Sequence, residues 1–181
     1  QLRDATVAPG AYVFYVRSWA FRGVREEEVL AVAALRLDTG ETLDDEASDR
    51  LVQLARVGGA DWLGASATVA ALNVREKLEQ AEAILDGRYR TMLERKRNEN
   101  ADRARFQLES IEQYLKRRQP RLQETLQAHI ARNRTSLAKA TQGQIDKLLA
   151  RMNMRRERIR EQERVLADRY FVCAGVIMAE A

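Results

Sequence analysis

The chain has 181 residues, 45% hydrophobic and 32% charged, with a formal net charge of +4, which bounds it to one water-soluble domain or a small domain carrying an elongated appendage. Its apolar runs fall far short of the ~20 residues that a membrane-spanning helix needs, and the N-terminal stretch has no signal-peptide apolar region, so a cytoplasmic protein without membrane contact is expected. A single cysteine, Cys173, and a single histidine, His129, exclude an internal disulfide and leave almost no material for a zinc site or a Cys/His catalytic pair.

The first third reads as strands. Ala11–Phe21 combines aromatic and β-branched residues after the turn signal Pro9-Gly10, the composition of a pleated surface. Arg22–Glu28 is polar and contains a glycine, as a hairpin connection does. Val29–Leu37 then runs to the turn formers Asp38 and Gly40, which gives a second strand antiparallel to the first. A short amphipathic helix follows, capped by Thr42 or Asp44, with Leu43, Ala47, Leu51, Leu54 and Ala55 on one face and Gly58-Gly59 at its end. The acidic run Asp44–Glu46 coincides with that helix start, where carboxylates complement the dipole, a simpler reading than a metal site.

From about Ala67 the period changes. Leu72, Leu78, Ala81, Leu85, Tyr89, Met92 and Leu93 recur at helical steps, and Leu108, Ile111, Leu115, Leu122, Leu126, Ile130 and Leu137 continue them. The stripe is narrow and the other faces are Arg, Glu, Gln and Lys, which describes helices packed side by side in a coiled-coil manner. Ile145, Leu148, Leu149, Met152, Ile159 and Leu166 extend it. Candidate breaks are Asn98–Asn100, Pro120, Asn133–Ser136 and Gly143, and the hairpin tip is expected between Pro120 and Gly143. A helix over 69–118 would run ~75 Å, and helical segments over 121–168 would return nearly as far.

That return explains the ending. Tyr170–Met178 is aromatic, β-branched and uncharged, so it is expected to pair at a sheet edge with the opening strands, burying Phe171, Val172, Val176 and Ile177 with Tyr12, Phe14 and Trp19 and leaving Cys173 a buried, inert thiol. The expected fold class is therefore α+β: a small mixed-sheet base over 1–67, a long antiparallel helical hairpin over 68–168 inserted before the last strand, and a terminal strand over 169–181 rejoining the base. The whole reads as one domain. A first residue Gln1 rather than methionine is what a piece of a larger protein would present.

Charge is uneven. Residues 1–67 hold 7 Lys+Arg against 11 Asp+Glu, and residues 68–181 hold 24 against 16, so the basic excess lies in the hairpin. Arg95, Lys96, Arg97, Arg103 and Arg105 form one cluster; Arg151, Arg155, Arg156, Arg158 and Arg160 form another. Within them, Arg95, Lys96, Arg97, Arg103, Arg105, Arg155, Arg156 and Arg158 are the candidate nucleic-acid or partner contacts. Interleaved Glu94, Glu99, Glu109, Glu157, Glu161 and Glu163 also describe a solvated face with ion pairs three or four residues apart, and this blander reading comes first. Any nucleic-acid contact would be electrostatic, because no grouped aromatic residues accompany the clusters.

No catalytic residue, cofactor or metal site is expected. Gly58–Gly64 has glycines but no Gly-Lys-Ser/Thr, so it reads as a helix stop rather than a phosphate loop; His129 lacks a second ligand nearby; no nucleophile stands with a base and an orienting partner.

The order of elements, with Pro9-Gly10, strands Tyr12–Phe21 and Glu28–Leu37, a short helix, a charged hairpin including Phe106–Glu112 and a terminal strand Phe171–Ile177, resembles the C-terminal region of bacterial Swi/Snf-type helicase-like ATPases. This group takes in RapA-like proteins and helicase-like components of anti-phage defence. The resemblance spans nearly the whole chain, but its motifs are charge and hydropathy patterns that assign no functional residue. It implies a non-catalytic accessory domain whose partners are the upstream ATPase lobes of the same parent protein, with DNA or RNA, or another protein, on the basic arm. The alternative is a stand-alone coiled-coil dimerisation or scaffold module in which Leu108–Leu137 seals against a second copy.

Overall fold

The structure is a computed structural model, and it describes residues 1–3, 6–61, 65 and 73–180. The expected start of the helical arm, around 67–72, and Trp62–Gly64 of the glycine-bearing stretch lie outside the described residues. The fold is α+β. Strands β1 (Leu2–Arg3), β2 (Gly10–Arg22) and β3 (Glu27–Arg36) lead to helix α1 (Asp45–Gly58), then α2 (Val74–Ala131), α3 (Thr135–Glu163) and strand β4 (Leu166–Glu180). The sheet is mixed, in the order β1-β4-β2-β3, with β1 parallel to β4 and β2 antiparallel to β3.

The chain divides into two compact units: Gln1–Phe21, Glu27–Glu94 and Ala167–Ala181 make the first, and Arg22–Glu26 with Arg95–Leu166 the second. In the first, β2 does not show a clean in–out alternation, because both of its faces are covered. Tyr12 joins Ala34, Leu51, Ile177 and Ala179 in a cluster closed by α1. Residues of opposite parity meet the opening segment of α2, since successive side chains of a strand point to opposite faces. Arg17 bonds to Glu82 and Asp86, and Trp19 and Phe21 meet the Tyr89 ring at 5.5 and 6.1 Å. Burial opposes the charged form of Arg17, but the Tyr15 hydrogen bond and the Asp86 and Glu82 carboxylates carry its pKa above the usual arginine value.

Asp44 caps α1 by accepting the Ala47 N–H at 2.7 Å, which satisfies an otherwise orphaned donor. Ser48, fully buried, accepts the Ala34 N–H at 3.2 Å and ties α1 to β3.

The terminal strand departs from expectation in place and in burial. It is interior, between β1 and β2, not at an edge. Ile177 and Ala179 are buried and Val176 half-buried, whereas Phe171 is 60% and Val172 48% exposed, and Cys173 is exposed too. The physical reason is where the covering elements lie. α1 packs on β3 and β1, and β1 meets only Ala179 and Glu180, so burial in β4 concentrates at that end. Phe171 makes an edge-to-face contact with the Tyr15 ring at 5.3 Å.

In the second unit, Ala104, Ile111 and Leu115 of α2 pack against Leu148, Met152 and Ile159 of α3 in an antiparallel hairpin. The turn lies at Arg132–Arg134, with Asn133 at φ 54, a conformation asparagine tolerates. Asn98–Asn100, Pro120 and Gly143 are therefore not breaks, and all sit within helices. A proline removes one hydrogen bond, a loss that the flanking turns of a 58-residue helix can absorb. Nor are the helices equal in length: α3 has 29 residues, and the opening segment of α2 belongs to the sheet unit instead.

Candidate nucleic-acid interface

The eight basic residues singled out in the sequence fall into two groups. Arg95, Lys96 and Arg103 converge on the Glu99 carboxylate, at 2.8, 3.6 and 3.7 Å. The Arg95 hydrogen bond, with the charges of Lys96 and Arg103 behind it, holds the Glu99 carboxyl below its usual range. Arg105 pairs with Asp102 at 2.8 Å, and Arg156 reaches across the hairpin to Glu112 at 2.6 Å. These five are engaged in the ion pairs of a solvated helix face. Arg97, Arg155 and Arg158 are exposed and make no ion pair among the described residues.

A different grouping emerges from the packing of α2 against α3. Two adjoining recesses of about 410 and 440 Å³ run along one flank of the seam and share Tyr114 and Arg151. Their cationic lining is Arg118 from α2 and Lys147, Arg151 and Arg155 from α3, and among the described residues no Asp or Glu lines either recess. All four are exposed, and none has an ion pair or side-chain hydrogen bond among the described residues. Tyr114 stands between them, 41% exposed.

Helix geometry sorts the charge. At about 100° per residue, Tyr114 and Arg118 fall on one side of the Ile111–Leu115 seam while Glu109 and Glu112 fall on the other. The second flank carries its own recess, lined by Asp102, Glu109, Glu112 and Glu163 with Arg105. Among the described residues, the hairpin thus has one flank whose recesses carry only cations and a second flank where carboxylates stand with Arg105 and Arg156, the two separated by its apolar seam.

Only Arg155 of this furrow was among the sequence candidates. Arg151 belonged to a recognised cluster, and Arg118 closes the short basic run Lys116-Arg117-Arg118 just after Tyr114, but the antiparallel pairing is what brings Lys147, Arg151 and Arg155 beside them. A usable signal was present: Lys147, Arg151 and Arg155 recur every fourth residue, which places them along one helix face.

Among the described residues, no three His, Cys, Asp or Glu side chains gather into a metal-binding group. None of the helices is long and apolar enough to cross a membrane, again among the described residues. No protein family, curated protein or solved structure matches the chain.

Proposed function

We propose that this chain is a non-catalytic accessory domain of a helicase-like, ATP-dependent nucleic-acid translocase, and that its helical hairpin contacts the phosphate backbone without reading sequence. The carrying observation is the furrow: Arg118, Lys147, Arg151 and Arg155, uncompensated by any lining carboxylate, around an exposed tyrosine. Cations spent on internal pairs gain little from a polyanion, because each must first give up its carboxylate. Unpaired cations release the counterions of the phosphates they neutralise. The motor half of the proposal rests on the element order, which resembles the C-terminal region of Swi/Snf-type helicase-like ATPases. The dimerisation alternative is less favoured because Ile111 and Leu115 already have an apolar partner in α3.

Charge reversal tests the contact. Arg118→Glu, Lys147→Glu and Arg151→Glu combined should lower affinity for unrelated nucleic-acid sequences alike, on the order of tenfold or more at about 50 mM salt, with helicity by circular dichroism retained. A control triple at Arg95, Lys96 and Arg103, which share Glu99, should lose much less. Equal loss in both triples, or none in the first, would remove the furrow from the account. Helicase motifs encoded upstream of Gln1 would support the motor half, and an unrelated upstream sequence would overturn it.

A further inference from the structure

We infer that the furrow takes single-stranded nucleic acid, with one base stacked on Tyr114 and successive phosphates on Lys147, Arg151 and Arg155. This rests on the proposed polyanion contact and names its substrate class.

Three features point there. Residues four apart on a helix are separated by ~6 Å along the axis, so Lys147, Arg151 and Arg155 present one cation per step, comparable to the phosphate spacing of an extended strand. Duplex DNA, by contrast, carries a charge about every 1.7 Å of axis on a broad curved surface, which a single row in a recess between two helices would meet at few points. The second feature is Tyr114, a half-exposed aromatic residue that lines both recesses beside the cationic row. In a duplex the base faces are stacked on one another; in a single strand they are available to an aromatic ring, and such stacking is tolerant of sequence. The third is the absence of carboxylates from the lining among the described residues, which leaves the phosphates unopposed there. A cationic groove that tracks the backbone beside an aromatic platform is the arrangement that suits single strands.

An acidic peptide could answer the charge, but it gives the exposed ring no flat partner. The test therefore compares, on the full chain, a labelled oligo-dT, a duplex of equal length and an oligo-glutamate of equal charge by fluorescence anisotropy at about 50 mM salt. The expected order is oligo-dT tightest. Tyr114→Leu should weaken oligo-dT binding on the order of tenfold and leave the duplex nearly unchanged, while Tyr114→Phe should bind oligo-dT like the parent. Duplex or oligo-glutamate binding as tight as oligo-dT, or indifference of oligo-dT to Tyr114→Leu, would overturn this inference while leaving the polyanion contact standing. Failure to bind any of the three would overturn the polyanion contact itself.

Discussion

Asn100, buried within α2, donates from Nδ2 to the carbonyl of Glu163 at the end of α3, 2.7 Å away. The same amide donates to the Gln162 carbonyl at 2.9 Å, and its Oδ1 accepts the Val24 N–H at 2.8 Å. One side chain thus satisfies two of the carbonyls that a helix C-terminus leaves without partners and pins the β2–β3 connection beside them. Gly23 belongs to this arrangement, since a Cβ there would lie 2.5 Å from the Asn100 oxygen.

Asn100→Leu, close in size but without polar atoms, should destabilise the protein by about 1–3 kcal/mol through unsatisfied buried groups. Gly23→Ala should destabilise in the same direction by crowding the amide. Denaturant midpoints check both, and hydrogen exchange should show lost protection at Val24 in Asn100→Leu.

The uneven burial of β4 gives a contrast within one strand. Ile177→Ala should cost about 2–4 kcal/mol, because Ile177 is buried in the cluster with Leu2, Tyr12 and Leu51. Val172→Ser, at a side chain 48% exposed, should stay within about 0.5 kcal/mol of the parent. Urea denaturation of the two variants separates these outcomes, and similar costs at both positions would contradict the placement of the strand.

Two carboxyls should respond to pH with opposite sign. Glu99, held below its usual range chiefly by Arg95, contributes stability that is present above the unfolded-state pKa and is lost as pH falls through the lower folded-state value. Glu99→Gln should accordingly flatten the acid limb of the stability profile. Asp49 is shifted upward, by burial first and by Asp45 second, against the pull of Arg88. Its folded form binds the proton more tightly, so stability falls as pH rises between the unfolded and folded values. Asp49→Asn should therefore gain stability at neutral pH and nothing below the unfolded-state pKa. Thermal melts across pH 3–7, a range about the carboxylate pKa values, check both signs.

Cys173 is exposed on β4, so a thiol reagent should titrate it in the native protein about as completely as in denaturant. Protection in the native state would restore the buried thiol that its apolar neighbours suggest.

What the sequence made legible followed from period and turn chemistry. The composition of Ala11–Phe21 and Val29–Leu37 located β2 and β3 to within two residues at each end, and of the two cap candidates, Thr42 and Asp44, the structure uses Asp44. What misled was residue type taken without tertiary context. Asn100 reads as a helix breaker, yet its amide is spent on Val24, Gln162 and Glu163, a use visible only once α3 has returned. Phe171 and Val172 read as core because they are apolar, but burial depends on which elements reach that end of the strand. The basic clusters were visible as density along the chain. Which cations are free was not, because pairing with Glu99, Asp102 and Glu112 is decided by helix spacing and by the opposing helix.

Salt dependence tests the central claim most directly. If Lys147, Arg151 and Arg155 each neutralise a phosphate of a single strand, log Kobs should fall with log salt at a slope of about −2. The Arg118→Glu, Lys147→Glu, Arg151→Glu variant should flatten that slope to about −1 or less. A parent that binds with no salt dependence, or a variant that keeps the parent's slope, would contradict a phosphate contact at this furrow.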